Sequence, residues 1–251
     1  MKRHDVCVQL RFLGTGASGG TPGEGRSRRL ESSLLISNGM VLMVDVTRDF
    51  SEQASQLDRI DGVLLTHGHR DAIGGLPQLY RWWRQHGDQE PIDVFVGAGT
   101  AEVIRARYRR LEHCRLQVVP ASRELRLGAF TVSAISVPHA RESRFETYAW
   151  RISSDGRSVV YASDVAYLTP ELERFCAGAA VLILDGAMWR RRLFSHLTIE
   201  AALPQVCPWP VGSIVLTQIG RSAPPHARLQ REVAGLCPKA RAAYDGFAVT
   251  L

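Results

Sequence analysis

An apolar strand that stops on two histidines constrains this chain more than anything else in it. Val63-Leu64-Leu65 runs into Thr66-His67-Gly68-His69-Arg70-Asp71-Ala72, and Gly74-Gly75 then releases the chain into a helical run, Leu76 to Gln85. Strand, loop and helix in succession form a βα unit, and its loop crowds imidazole and carboxylate donors just where the strand ends. Donors of this kind suit zinc, manganese or iron, and catalytic sites keep one coordination position open for water or substrate. A His-x-His pair also arises on solvated loops, so the loop alone does not decide the chemistry.

Other apolar strands end the same way. His139 follows Ile135-Ser136-Val137-Pro138, Asp164 follows Val159-Val160-Tyr161-Ala162-Ser163, and Asp185 follows Val181-Leu182-Ile183-Leu184. Loops at strand ends are free to converge while the strands hold them rigidly, so donors collected along one sheet edge mark a candidate site.

Short β-rich runs alternate with helical ones, which predicts a layered α/β fold. Strands are expected at Gln9 to Leu13, Ser32 to Ile36, Val41 to Val44, Gly62 to Leu65, Asp93 to Val96, Leu116 to Val119, Phe130 to Val137, Ala149 to Ile152, Ser158 to Ala162, Val181 to Leu184, Ser213 to Thr217 and Ala248 to Leu251. So many strands require at least two sheets. Helices are expected at Phe50 to Gln56, Leu76 to Gln85, Ala101 to His113, Pro170 to Phe175, Ile199 to Gln205 and His226 to Gly235. No Gly/Ser or Pro linker divides the 251 residues, and 45% hydrophobic content can fill the core of one domain spanning 1–251.

The start, Met1 to Asp5, is charged, and Val6 to Leu13 is broken by Gln9 and Arg11. No secretory segment or membrane span is expected, and the protein is placed in the cytoplasm. Five scattered cysteines lack a C-x-x-C pair, so neither a disulfide framework nor a cysteine-rich zinc site is expected. The net charge of +6 is carried almost wholly by arginine, with Lys2 and Lys239 the only lysines. Arginine forks match phosphate oxygens, which fits a small anionic or phosphorylated substrate; a modest positive balance that only aids solubility explains the charge equally well. The arginines of Ala101 to His113 have no alternating series of aromatic residues among them, Tyr108 standing alone, so they read as a solvated face, not a nucleic-acid surface. Trp82 and Trp83 read as core. Gly14-Thr15-Gly16 precedes no helical run and reads as a flexible active-site loop.

With these residues in view, the chain resembles the metallo-β-lactamase superfamily. More narrowly it is similar to the branch containing phosphoribosyl cyclic phosphodiesterases, with the tRNA-maturing endonucleases as cousins. The resemblance rests on Phe12-Leu13-Gly14-Thr15-Gly16, Ser32-Ser33-Leu34-Leu35, Val44-Asp45 with Asp49-Phe50, the Thr66 to Gly75 loop, Pro138-His139, Ser163-Asp164, Leu216-Thr217 and Tyr244-Asp245-Gly246-Phe247. It implies an αββα sandwich of two mixed β-sheets flanked by helices. It also implies that His67, His69 and His139 bind one metal, with Asp164 as the carboxylate that bridges to a second. The family pattern has histidine where this chain has Ala72 and Gln218, so the second position is degenerate and one divalent ion, zinc or manganese before iron, is expected. The cysteines that hold a structural zinc in some relatives are missing from the Gly14 to Gly25 stretch.

Asp71, released from a second metal, is a candidate base; orienting a ligating histidine is its alternative role. His196, in Phe194-Ser195-His196-Leu197-Thr198, resembles the histidine that protonates the leaving group in the phosphodiesterase branch, and Arg190, Arg191 and Arg192 lie close enough in sequence to serve a phosphate. The expected function is a metal-dependent hydrolase, a phosphodiesterase acting on a small phosphorylated substrate. The alternative is an impaired family member that binds or scaffolds. A nucleic-acid substrate ranks last, and a homodimer is compatible with the chain. His226 reads as an exposed loop residue before it reads as a substitute ligand.

Overall fold

The computed structural model describes residues 7–86, 90–140 and 144–251, so the charged start, Met1 to Asp5, lies outside the described residues. In chain order the first half comprises β1 (Gln9–Gly14), β2 (Ser33–Ser37), β3 (Val41–Val44), α1 (Phe50–Gln53), β4 (Gly62–Leu64), α2 (Arg70–Ile73), α3 (Leu76–His86), β5 (Ile92–Val96), α4 (Ala98–Arg107) and β6 (Cys114–Val118). The second half comprises β7 (Leu125–Leu127), β8 (Phe130–Ser136), β9 (Tyr148–Ser154), β10 (Arg157–Ala162), α5 (Pro170–Cys176), β11 (Val181–Asp185), α6 (Ile199–Val206), β12 (Ser213–Thr217), α7 (His226–Leu236), β13 (Ala240–Ala242) and β14 (Ala248–Thr250).

These strands form two seven-stranded sheets, ordered β14-β1-β2-β3-β4-β5-β6 and β13-β12-β11-β10-β9-β8-β7. Both are mixed: β3 to β6 and β10 to β13 pair in parallel, and the remaining neighbours are antiparallel. Alternation along each strand divides its side chains between two cores. Leu34, Ile36, Leu42 and Val44 of one sheet pack with Val159, Tyr161, Val181 and Ile183 of the other. Their neighbours face helices: Leu35 and Met43 meet α1, α3 and α4, while Val160, Leu182 and Leu184 meet α5, α6 and α7. The result is the expected αββα sandwich.

The helices follow from local chemistry. Thr169 caps α5 by accepting from Leu172 N at 3.1 Å, with Pro170 in the first turn, where its missing N–H costs nothing. Helix α3 buries Leu76, Leu79 and Trp82 along one face, and Trp83 packs beside them, as core residues should.

The structure departs from expectation in several places. Helix α4 ends at Arg107 because Tyr108 leaves the helix to donate to Ile73 O at 2.9 Å, so Arg109 and Arg110 are not helical. Strands β7 and β13 and helix α2 were not expected. Cys207 and Cys237, at the C-terminal ends of α6 and α7, form a disulfide, which departs from the expectation that disulfides play no part. Gly14 to Gly20 is not a free loop: Gly16 N donates to Leu30 O, Ala17 N to Ile219 O and Gly19 N to Glu31 Oε1. No helix among the described residues is long and apolar enough to cross a membrane.

Candidate metal centre

Strand ends from both sheets meet at one place. From the first sheet come Asp45 after β3 and the Thr66 to Asp71 loop after β4; from the second come His139 after β8, Asp164 after β10, Asp185 at the end of β11 and Gln218 after β12. The sheets are tied there by Trp150 Nε1, which donates to Leu65 O at 3.0 Å, and by Tyr148 N, which donates to Thr66 O at 2.8 Å. Gly68 has no side chain to spare in this loop, since a Cβ there would sit 2.6 Å from Phe145 Cδ1. Phe145 in turn meets the His69 ring edge-on at 4.9 Å.

His67, His69 and His139 bring one nitrogen each within 4.8 Å of one another. Each nitrogen is selected by what the rest of its ring does. His139 Nδ1 lies 2.7 Å from Ser195 O, a group that only accepts, so the proton sits on Nδ1 and Nε2 is a bare lone pair. Thr66 Oγ1 donates to the Asp45 carboxylate at 2.9 Å and accepts from His67 Nδ1 at 2.9 Å, which leaves His67 Nε2 bare as well. That atom is fully buried and has no hydrogen-bond partner among the described residues. His69 Nδ1 lies 3.3 Å from His139 Nε2.

Burial lowers His67 and takes His69 down to about 4, so both favour the neutral form that a metal requires. Burial alone would raise Asp164, but the surrounding imidazoles, His67 foremost, hold it below the usual carboxylate range. Its Oδ1 lies 4.0 Å from His67 Nε2 and 3.9 Å from His139 Nε2. Tetrahedral ligands about 2.0–2.1 Å from zinc are ~3.3 Å apart. The donors present therefore fit a small divalent ion after inward side-chain shifts of up to about an ångström, and an orphaned buried imidazole nitrogen is the atom such an ion would satisfy.

Asp71 sits beside this group, its Oδ1 3.8 Å from His67 Nε2. The Gln218 side chain separates it from Asp164: Nε2 donates to Asp164 Oδ1 at 2.9 Å and to Asp71 Oδ2 at 3.3 Å. Both partners are carboxylates, so the NH2 end faces them, not the amide oxygen. Gln218 adopts φ 57° to reach this position, and Asp45 adopts φ 62° opposite it; non-glycine residues at such angles cluster at functional sites. Ala72, the other residue where the resemblance led to an expectation of histidine, is buried in the core behind the loop.

His196 faces His139, with ring centroids 4.9 Å apart. Its Nδ1 lies 2.7 Å from Asp185 Oδ2. Burial would lower His196, but the Asp185 carboxylate overcomes this and holds it up to about 9. Burial also pulls Asp185 upward, yet Val165 N and Ala187 N donate to it as well, at 2.9 and 2.8 Å. Three donors on one carboxylate favour its anion, so the pair is an ion pair. Asp185 was visible in the sequence as a strand-end acid without a role; Thr66, Ser195 and Asp45 gave no individual signal. His226 is neither exposed nor among the grouped donors: it is buried at the start of α7, with Nδ1 3.2 Å from Arg29 Nη2.

Comparison with known proteins agrees with this architecture. A solved diphosphatase of the PhnP family superposes with a TM-score of 0.86 at 22% identity, covering 98% of this chain and 97% of that one. The Bacillus subtilis metallo-beta-lactamase fold protein YhfI superposes at 0.82 with 20% identity, covering 98% and 100%. Ribonuclease Z of Bradyrhizobium sp. (strain ORS 278) is 24% identical over 94% of this chain and 97% of its own length. An octanoyltransferase of Porphyromonas gingivalis is 26% identical over 94% of this chain, which spans only 50% of that relative. Residues 42–217, from β3 through β12, match the family described as the Beta-lactamase superfamily domain, and the chain belongs to that superfamily.

Proposed function

We propose that the protein is a mononuclear metal-dependent phosphodiesterase acting on a small phosphorylated substrate, as in the phosphoribosyl cyclic phosphodiesterase-like branch. The observation that carries this reading is His67 Nε2, a buried lone pair without a hydrogen-bond partner among the described residues, grouped on one side with His69 and His139 and on the other with Asp71 and Asp164. His67, His69, His139 and Asp164 would hold one divalent ion, zinc or manganese before iron. When bound, the ion supplies Lewis acidity and promotes ionisation of water near neutral pH. Asp71 is assigned to accept the proton from the attacking water. His196, with Nδ1 engaged by Asp185, has Nε2–H left to give to the leaving oxygen. The ribonuclease Z relatives and the diphosphatase neighbour support phosphoester chemistry; the half-length match gives no reason to carry over octanoyl transfer.

The single-domain, cytoplasmic assignment belongs to the same proposal, and the Cys207–Cys237 pair weighs against a reducing compartment. The Gln218 amide favours a second reading, a family member that binds its ligand without turnover, because it occupies the space between the two carboxylates. Elemental analysis of purified protein, with a phosphodiester assay with and without chelator, separates the two. About one ion per chain with chelator-sensitive turnover supports the hydrolase. Absence of turnover with or without a bound ion supports the binder, and no ion after soaking in zinc or manganese overturns the hydrolase.

A further inference from the structure

A cavity of about 970 Å³ opens beside the candidate metal centre, and His139 and His196 form part of its wall. An ion and a phosphoryl group fill a small part of such a volume, which is that of a site for a drug-sized ligand. The rest of the lining has an apolar side, which includes Leu168, Leu193, Phe194 and Ala201, and a polar one, Arg192, Thr198 and Gln205. Val118, Tyr167, Leu193 and Phe194 are the large apolar side chains left most exposed among the described residues, at 43%, 61%, 47% and 80%. All but Val118 line this cavity. Exposed apolar surface gathered at one place marks a binding site, and this patch is continuous with the catalytic wall.

We propose that this cavity takes an apolar leaving group, an aryl or alkyl alcohol of at least ring size esterified to the phosphate; the assignment rests on the hydrolase reading above. The side on which His196 stands decides the orientation. In hydrolysis the water oxygen forms a bond to phosphorus, the bond from phosphorus to the alcohol oxygen breaks with its electron pair on oxygen, and that oxygen takes the proton from His196 Nε2. The departing alcohol therefore lies against His196, inside the cavity that His196 walls. Arg192, in the same lining, suits the anionic phosphate end of the ester and not its apolar tail.

The test uses methyl p-alkylphenyl phosphates with alkyl chains of one, four and eight carbons, whose phenols differ little in acidity, and the protein loaded with zinc or manganese. The expected result is a rise in kcat/KM of about tenfold along the series. Ala201→Trp, which adds bulk at an exposed position of α6 facing the cavity, should remove that rise. Calorimetry supplies a readout independent of turnover: p-octylphenol should bind the metal-free protein, and Ala201→Trp should weaken it about tenfold. Thermal melts confirm that the variant folds. Equal kcat/KM along the series, or octylphenol binding indifferent to Ala201→Trp, overturns the leaving-group assignment and leaves the hydrolase standing. Octylphenol binding without hydrolysis of any ester overturns the hydrolase and the assignment with it. A dimer that dissociates on Phe194→Asp would show that a second copy covers the patch, and that also overturns the assignment.

Discussion

The side-chain amide of Gln218 donates to Asp164 Oδ1 across 2.9 Å, and the same nitrogen reaches Asp71. A neutral donor thus stands between two carboxylates that would otherwise repel each other or share a cation. The space between the two carboxylates is consequently a filled one, and removing the amide should recreate demand for positive charge. With histidine restored in Ala72→His/Gln218→His, metal content measured by plasma mass spectrometry is expected to rise from about one ion per chain to about two. An unchanged content would show that the residues had been carried over to the wrong positions.

Thr66 couples Asp45 to His67 and fixes which nitrogen of the imidazole is bare. Thr66→Val keeps the shape and removes the hydroxyl. Metal affinity, followed by competition with a chromogenic chelator, should fall about 10- to 100-fold.

Asp185 holds His196 protonated up to about 9. For an ester with an unactivated alcohol, the alkaline limb of kcat/KM is expected near that pH. In Asp185→Asn it should move down towards the ordinary imidazole value of about 6.5. His196→Ala should lower turnover of such esters by about 10²- to 10⁴-fold, and much less for a p-nitrophenyl ester, which leaves without a proton. The raised imidazole also ties stability to pH. Its contribution is fully present below about pH 6.5, the unfolded value, and is lost as pH rises through about 9.

Trp150 is wholly buried between the sheets and donates to Leu65 O, two residues before His67. Trp150→Ala should destabilise the protein by about 3–5 kcal/mol, read from urea unfolding.

Much of the candidate site could be read from sequence because its donors follow apolar strands, where local pattern and chain position coincide. Val41–Val44 and Ser213–Thr217 have the expected bounds because β-branched and apolar residues fill the first from end to end and all of the second after Ser213. Ala240–Ala242, by contrast, is an Ala-Arg-Ala strand with no intrinsic preference, formed because β12 offers it a parallel edge. The same limit hid the partners of distant residues. Cys207 meets Cys237 only when two helices dock, and His226 is buried against Arg29, 197 residues away in the chain.

The donors of the centre come from opposite leaves of the sandwich: His67 and His69 from one, His139 and Asp164 from the other. A cation seated among them would act as a rivet through the seam, resisting any opening that parts the leaves. Melting temperature should then climb with free zinc or manganese concentration, and a chelator should loosen the β8–β10 side from the β3–β4 side before the helices unravel.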